Sequence, residues 1–291
     1  HPTLAEGLRR TGIETLYRHQ AHAWEAAATG PFVITTGTAS GKSLSFNLPT
    51  LDVLLRDPRA RAIYLYPTKA LAQDQARALH ALRLGDGIRP AIYDGDTRRE
   101  DRAQIRRRSN LILTNPDMLH VGILPHHRQW GDVFANLAVV VIDEAHVYRG
   151  VFGSHVANVL RRLRRIANAY GTEPRFMLAS ATIANPVELA ERLTGLEDVA
   201  LVDEDGAPGA RRQIAMWNPP IIDDALGTRR SALSEAADVV FDLVRGGSRT
   251  ICFIKSRRAV ELVAKLVNEK LTDAEPGLED KVVAYRAGYT P

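Results

Sequence analysis

The feature that most constrains this chain is a short stretch rich in glycine and hydroxyl residues, Thr36-Gly37-Thr38-Ala39-Ser40-Gly41-Lys42-Ser43. It directly follows an apolar run that ends at Thr35 and precedes a stretch typical of a helix. Small residues let backbone N–H groups point inward around a phosphate, and a helix N-terminus adds its positive dipole end. The pattern predicts a phosphate-binding loop in which Lys42 reaches the β- and γ-phosphates of ATP and Ser43 ligates Mg²⁺. Thr36 departs from the full pattern, which has a glycine there.

A second candidate site lies where the apolar run Leu137 to Ile142 ends in Asp143-Glu144-Ala145-His146. An all-apolar strand is typical of a sheet that is covered on both faces. Two adjacent carboxylates repel each other unless a cation is present, so the pair indicates a metal. We predict that Asp143 holds Mg²⁺ and that Glu144 orients and deprotonates an attacking water.

Short aliphatic runs alternate with longer amphipathic stretches, which predicts an α/β fold: a parallel sheet flanked by helices. Ligands of such sheets bind outside the carboxyl ends of the strands, where both candidate sites fall. Helices are predicted at Leu71 to Arg83 and Gly153 to Ala169. The predicted strands are Phe32 to Thr35, Ala62 to Tyr66, Ile88 to Tyr93, Leu111 to Thr114, Val139 to Ile142, Arg175 to Ala179 and Val199 to Val202.

A change in composition after Val202 predicts a domain boundary. Residues 1–204 form the ATP-binding domain in this interpretation, and residues 205–230, which are rich in Pro, Gly and Asp, form a linker. Residues 231–291 begin the same pattern again and stop short of a complete sheet. Their predicted elements are a helix near 231–245, a strand at Thr250 to Ile254, a helix at Ala259 to Leu271 and a strand at Val282 to Tyr285.

Composition excludes some classes and leaves others open. The longest apolar runs are about as long as one strand, so no membrane span is expected. The net charge of +4 and the pI near 9.3 permit a polyanionic partner without identifying one, since most arginine pairs are explained as solvated helix faces. A lone cysteine, Cys252, excludes an internal disulfide in this stretch and is weakly consistent with a reducing cytoplasm. The chain starts at His1 rather than Met, from which we expect an upstream piece.

Histidine and tryptophan positions carry less information. His126, His127 and His155 lack further ligands at suitable spacing, so structural roles are favoured over a metal site. Trp24, Trp130 and Trp217 are interpreted as core or loop anchors rather than base-stacking platforms.

The motifs resemble those of superfamily 2 helicases and follow one another in the same order. Asp143-Glu144-Ala145-His146 is the DEAH form of motif II. The other matching segments are Tyr17-Arg18-His19-Gln20 (Q motif), Tyr66-Pro67-Thr68-Lys69-Ala70-Leu71 (Ia), Thr114-Asn115-Pro116-Asp117-Met118-Leu119 (Ib), Ser180-Ala181-Thr182 (III) and Phe253-Ile254-Lys255-Ser256-Arg257 (IV).

The residues within and around these motifs resemble those of the bacterial SftH and MrfA helicases, which are relatives of the RecQ-four-like group. The segments that carry this likeness are 67–75, 93–97, 146–155 and 285–291. The resemblance implies a RecA-like domain followed by an incomplete second RecA-like domain, with ATP and Mg²⁺ as cofactors. It further implies 3′→5′ movement on single-stranded DNA or a 3′-tailed duplex, a role in DNA repair, and a cytoplasmic, nucleoid-associated location.

The resemblance also implies residue roles. Gln20 would hydrogen-bond the adenine edge, and residues 36–43 would hold the phosphates. His146 would form a hydrogen bond toward Ser180 or Thr182. The catalytic residues would be Lys42, Asp143, Glu144, His146, Ser180 and Thr182. Nucleic acid would meet Thr68, Lys69, Thr114 and Asn115 on the first domain and Lys255, Ser256 and Arg257 on the second.

Motifs V and VI, including an arginine finger, would come after Pro291 in this family. We therefore expect the chain alone to bind ATP–Mg²⁺ weakly and to turn it over hardly at all. Three alternatives stay open from the residues alone: an RNA helicase or RNA-stimulated ATPase, a non-hydrolysing nucleic-acid binding module, and a P-loop kinase. The intact Lys42, Ser43, Asp143 and Glu144 argue against the second. Motifs II and III together with the second α/β unit argue against the third.

Overall fold

The computed structural model describes residues 1–37, 40–209, 211 and 213–285. The chain divides into two compact units, His1–Ala210 and Arg211–Pro291. Among the described residues, seven strands of the first unit form one sheet in the order β3-β4-β2-β5-β6-β1-β7, and every neighbouring pair is parallel. The strands are β1 Phe32–Thr35, β2 Arg61–Leu65, β3 Pro90–Ile92, β4 Leu111–Thr114, β5 Leu137–Ile142, β6 Arg175–Ser180 and β7 Ala200–Val202.

Helices connect the strands and cover the sheet, as parallel pairing requires. They are α1 Pro2–Arg10, α2 Arg18–Thr29, α3 Lys42–Arg56, α4 Lys69–Ala81, α5 Arg99–Arg108, α6 Pro116–Met118, α7 Gly131–Ala135, α8 Gly150–Ala169 and α9 Pro186–Thr194. Helix α9 shows how local sequence sets such bounds: Pro186 occupies its first turn and Gly195, at φ 68°, follows its last residue. The predicted parallel α/β fold is confirmed.

Alternate strand residues feed two separate hydrophobic cores, one on each face of the sheet. Val140 and Ile142 of β5 pack in the core that Leu160 of α8 joins. Their neighbours Val139 and Val141 pack in the opposite core with Leu51 of α3. Because side chains alternate along a strand, burial on both faces explains why β5 is an uninterrupted apolar run in the sequence.

The second unit is built around two helices, α10 Ala232–Arg245 and α11 Arg257–Ala274, which share a small core. An antiparallel hairpin of β8 Ile221–Asp223 and β9 Thr228–Arg229 lies inside the stretch that the sequence predicts as linker.

The strands predicted at Thr250 to Ile254 and Val282 to Tyr285 are wrong, since neither segment is a strand. Phe253 and Tyr285 are 91% and 90% exposed. A strand needs a neighbour to pair its backbone N–H and C=O groups, and no strand of the described residues pairs with either segment.

Candidate nucleotide and nucleic-acid site

The phosphate-binding loop leaves β1 and enters α3, as the sequence predicts. Lys42 folds back over it, and its Nζ donates to the carbonyl oxygens of Thr36 at 2.8 Å and Gly37 at 2.7 Å. The buried hydroxyls of Thr36 and Ser40 lie 2.6 Å apart in a hydrogen bond. Gly41 has φ +80°, a conformation that side chains disfavour. The ammonium therefore sits over the loop, where phosphate oxygens could replace the two carbonyls as its acceptors.

Two other residues assigned to this loop, Thr38 and Ala39, lie outside the described residues. Ser43 is exposed in the first turn of α3.

Gln20 ties helix α2 to the loop through its buried side-chain amide. Its Oε1 accepts from the backbone N–H of Tyr17 at 3.0 Å, and its Nε2 donates to the carbonyl of Gly41 at 3.1 Å. A Cβ on Gly41 would lie 2.9 Å from that Nε2, so a side chain there would displace the Gln20 amide from this position. The contact with adenine implied for Gln20 stays a prediction.

Asp143 and Glu144 follow β5 at the same edge of the sheet. The Asp143 side chain belongs to a residue only 9% exposed, and burial raises its pKa to about 6, reinforced by the charge of Glu144. The N–H of Glu144, bonded to Asp143 Oδ1 at 2.8 Å, and the Lys42 ammonium oppose that rise. Glu144 adopts φ +50°, uncommon for a non-glycine residue, which turns the chain sharply after the strand. The result is one buried acid that favours a positive partner and one more exposed carboxylate beside it.

Two tyrosine hydroxyls in this region were missed by sequence reasoning. The hydroxyls of Tyr66 and Tyr148 are buried without a hydrogen-bond partner among the described residues. Burial raises the pKa of each, and the Asp143 carboxylate raises both further. They are neutral donors around a buried acid. No spacing rule could have identified them, because the fold brings them together from separate loops.

His146 contacts motif III at a different atom from the one predicted. Its Nδ1 accepts a hydrogen bond from the backbone N–H of Ala181 at 3.1 Å, rather than bonding Ser180 or Thr182. The Ser180 hydroxyl is buried without a partner among the described residues, while Thr182 is exposed. Glu144 Oε2 lies 3.3 Å from the same Nδ1. Since that nitrogen accepts from Ala181 it carries no proton, so Glu144 is a close neighbour and not its hydrogen-bond partner.

The predicted motifs line up along the carboxyl edge of the sheet. The phosphate-binding loop follows β1, motif III follows β6 and motif II follows β5, and these three strands are adjacent. Motif Ia follows β2 and motif Ib follows β4, the next two strands along. The nucleotide residues and the candidate nucleic-acid residues thus occupy two halves of one edge that meet between β5 and β2.

The candidate nucleic-acid residues of the first unit have structural partners. Thr68 is exposed and caps α4 by accepting from the N–H of Leu71 at 3.4 Å, and Asn115 caps α6 by accepting from Met118 at 2.8 Å. Lys69 pairs with Asp96 at 2.6 Å on the surface.

Thr114 differs from the other three. It is buried, and its hydroxyl donates to the Tyr93 carbonyl at 2.6 Å. Its side chain therefore serves the fold, and the assignment of that side chain as a nucleic-acid contact is corrected here; only its position at the end of β4 still fits such a contact.

In the second unit, Lys255, Ser256 and Arg257 are exposed and mark the start of α11. The Ser256 hydroxyl caps this helix by accepting from the N–H of Ala259 at 3.2 Å. All three side chains are open to a ligand on the surface of their own unit.

The donor set fits a magnesium nucleotide better than a metal held by protein alone. Within the described ranges, no group of three or more His, Cys, Asp or Glu could hold a metal ion. Mg²⁺ commonly takes one or two protein oxygens and completes its shell with waters and substrate phosphates. The Ser43 hydroxyl and the Asp143 carboxylate are donors of that kind. His127 instead bonds the Tyr170 hydroxyl at 3.0 Å, in line with its structural interpretation.

The family comparison agrees with this geometry. The family described as DEAD/DEAH box helicase matches residues 17–190, from the Q motif to beyond motif III. The chain belongs to this family.

Similar proteins extend the match over nearly the whole chain. The uncharacterized ATP-dependent helicase YprA of Bacillus subtilis is 46% identical over 98% of this chain and 38% of its own length. The ATP-dependent helicase HRQ1 of Saccharomyces cerevisiae is 40% identical over 99% of this chain and 27% of its own. The crystal structure of the DUF1998 helicase MrfA bound to DNA and AMPPNP matches with a TM-score of 0.91 and 43% identity, covering 100% of this chain and 40% of that one. The similarity to MrfA-type helicases predicted from the motifs is confirmed, and the chain spans well under half of these relatives.

Among the described residues, no helix has both the length and the apolar character needed to cross a membrane.

Proposed function

We propose that this chain is the ATP-binding motor domain, with the start of a second RecA-like domain, of an ATP-dependent DNA helicase or translocase. The observation that carries the proposal is the order of motifs along one sheet edge, with nucleotide residues after β1, β6 and β5 and candidate nucleic-acid residues after β2 and β4. In this proposal residues 1–204 bind ATP, 205–230 connect, and 231–291 open the second domain.

In the hydrolytic step, a water oxygen forms a bond to the γ-phosphorus as the bond to the bridging oxygen of ADP breaks. Glu144 accepts the proton of that water, and its partial exposure leaves room for the water to approach. Lys42 exchanges its two loop carbonyls for phosphate oxygens and stabilises their charge. Mg²⁺, held by Ser43 and Asp143, would add positive charge at the phosphates.

We further propose that one DNA strand runs past Thr68, Lys69 and Asn115, and meets Lys255, Ser256 and Arg257 in the second unit. Helix-start N–H groups, hydroxyls and a few cations grip phosphates without reading sequence. The surface ion pair of Lys69 with Asp96 would be given up at little cost, because exposed pairs contribute about 0–1 kcal/mol. The similar MrfA structure is bound to DNA, which supports DNA as the ligand.

Several finer points of the proposal rest on the family resemblance alone. These are 3′→5′ polarity, a 3′-tailed duplex as substrate, DNA repair and a cytoplasmic, nucleoid-associated location. An RNA helicase is the second candidate, because phosphate contacts of this type do not distinguish the two sugars.

The test is ATP hydrolysis by the complete protein with single-stranded DNA, with RNA and with neither. We expect stimulation by DNA. Lys42→Ala should lose ATP binding, and Glu144→Gln should retain ATP binding but stop turnover. Turnover by Glu144→Gln equal to that of the unmodified protein would overturn the assignment of Glu144, and stimulation by RNA alone would favour the second candidate.

Glu197→Gln is a matched control for the loss of one carboxylate. Glu197 is exposed and precedes β7, so it lies at the opposite edge of the sheet from the motifs. We expect the Glu197→Gln protein to hydrolyse ATP at the same rate as the unmodified protein.

A further inference from the structure

The segment that leaves β7 packs against the phosphate-binding loop. We call residues 205–207 the β7 strap. Strand β7 is the edge strand beside β1, so the strap emerges next to the start of the loop. Asp205 Oδ2 accepts a hydrogen bond from the N–H of Gly37 at 3.0 Å, while its Oδ1 accepts from the N–H of Ala207 at 3.0 Å. One carboxylate thus joins the strap to the first glycine of the loop.

Helix α2 holds the strap from the other side. The ring of His19 is fully buried, and its Nδ1 accepts from the N–H of Gly206 at 3.2 Å. This bond fixes the ring as an acceptor at Nδ1, and burial lowers the pKa of His19, which keeps it neutral. The adjacent residue is Gln20, whose amide bonds the carbonyl of Gly41 at the other end of the loop. Two consecutive residues of α2 therefore hold the strap and the loop.

The fit of the strap requires a glycine. A Cβ on Gly206 would lie 2.7 Å from the backbone nitrogen of Arg18 and 2.8 Å from its Cβ. Both distances are shorter than those of real Cβ contacts. The two atoms belong to the backbone of helix α2 or are attached directly to it, so they cannot move aside as the end of a flexible side chain can. Any larger residue would push the strap away from α2.

The charge of Asp205 makes its position unusual. Its pKa is held below its usual range, first by the N–H of Ala207 and further by the N–H of Gly37 and the positive charge of Lys42, so it is ionised at neutral pH. An ionised carboxylate near Lys42 and a phosphate-binding loop would repel a triphosphate. If it served no purpose there, removing it would strengthen ATP binding.

We propose that Asp205, together with His19, is a positioning residue that fixes the entrance of the phosphate-binding loop against α2 and ties the chain leaving β7 to the ATP site. This rests on the proposed ATP-binding function. The hydrogen bond to Gly37 outweighs the repulsion of phosphate, because it holds the loop in its binding conformation before ATP arrives.

The test compares two replacements of Asp205 in the complete protein. Asp205→Ala removes both the acceptor and the charge, and should raise the KM for ATP and the dissociation constant of a fluorescent ATP analogue about tenfold, with kcat nearly unchanged. Asp205→Asn keeps one carbonyl oxygen that can accept from Gly37 and removes the charge, so both constants should stay within about threefold of the unmodified protein.

The sign of the effect separates positioning from electrostatics. If the carboxylate acts only through its charge, both replacements will lower the KM, and that result overturns the proposal. An unchanged KM for Asp205→Ala overturns it too. So does an Asp205→Asn protein as weak as Asp205→Ala, since the acceptor would then not matter.

Gly206→Ala provides a second, independent variant in case Asp205→Ala does not fold. It keeps the carboxylate but displaces the strap, so the KM should rise as for Asp205→Ala, and an unchanged value would refute the strap's role. Asp203→Ala, which removes an exposed carboxylate two residues before, is the matched control and should leave the KM unchanged. Thermal unfolding checks that each variant is folded. Failure of the unmodified protein to hydrolyse ATP would refute the proposed function, whereas normal hydrolysis with an unaffected Asp205→Ala would refute only this inference.

Discussion

Replacement of Asp143 by Asn should stabilise the first unit, although it removes the carboxylate that we propose as a Mg²⁺ ligand. Burial is the main reason that the pKa of Asp143 rises from near 3.8 to about 6. Because the native pKa lies above the unfolded one, the native state binds its proton more tightly than the unfolded state. The stability that this proton contributes is fully present below about pH 4 and is lost as the pH rises through about 6.

The size of the effect follows from the shift. The rise in the pKa of Asp143 from 3.8 to about 6 means that ionising this carboxyl costs about 3 kcal/mol more in the native state than in the unfolded chain. The neutral amide of Asn has the same size and shape as the carboxylate, avoids this penalty and still offers an oxygen to the N–H of Glu144. We therefore expect Asp143→Asn to be more stable than the unmodified chain by up to about 3 kcal/mol near pH 7.5, by roughly half of that near pH 5, and by almost nothing near pH 3.8.

The assay is urea unfolding without Mg²⁺ or nucleotide, followed by tryptophan fluorescence. A Trp217→Phe background removes the tryptophan of the second unit and leaves the buried Trp130 and the partly exposed Trp24 in the first. Asp203→Asn, at an exposed position, is the control and should change stability little at any pH. A gain that does not depend on pH, or a loss of stability near pH 7.5, would refute the account of Asp143 as a buried acid without a sufficient partner.

Two further predictions concern neighbouring motifs. His146→Ala leaves the N–H of Ala181 without its acceptor, so we expect the free energy of unfolding in urea to fall by about 1–3 kcal/mol. We also expect a lower kcat for DNA-stimulated ATP hydrolysis. An unchanged kcat would contradict a role of His146 in linking motif II to motif III. Asn115→Asp keeps the cap of α6 but adds a negative charge, so the free energy of unfolding should change by less than about 0.5 kcal/mol. The affinity for single-stranded DNA should fall several-fold in a fluorescence-anisotropy titration. Unchanged affinity would exclude Asn115 from the proposed DNA path.

Local sequence was sufficient where a residue's role depends on its own neighbours in the chain. Strand β5 is readable because burial on both faces requires an unbroken apolar run, and the loop before α3 is readable because phosphate binding requires small residues at fixed spacing. Thr68 and Asn115 also act locally, since each caps a helix by accepting from the N–H three residues further on, although both were predicted as nucleic-acid contacts.

Contacts between distant segments could not be read in this way. Gly206 and His19 are 187 residues apart, and nothing in the composition of either segment marks the other as its partner. The failed strands at Thr250 to Ile254 and Val282 to Tyr285 have a related cause, since an apolar extended segment becomes a strand only where another strand is available to pair with it. His146 was assigned to the correct motif but to the wrong atom. Every non-proline residue carries a backbone N–H, so the sequence does not show which of them a side chain will meet.

The sheet edge also limits how the two halves of the site can communicate. Backbone hydrogen bonds join the motif-bearing strands at this edge, from the N–H of Asp143 to Leu65 and from the N–H of Tyr66 to Thr114, at 3.0 and 2.9 Å. Sliding one strand against another would break such bonds in a buried sheet, at a cost that a few local contacts could not offset. If the chain works as the proposed motor, coupling between nucleotide and DNA is therefore expected to pass through side chains that can exchange hydrogen-bond partners. Lys42, now bonded to two carbonyls of its own loop, and His146, with Ala181 and Glu144 both near one ring nitrogen, are the residues of this edge built to do so.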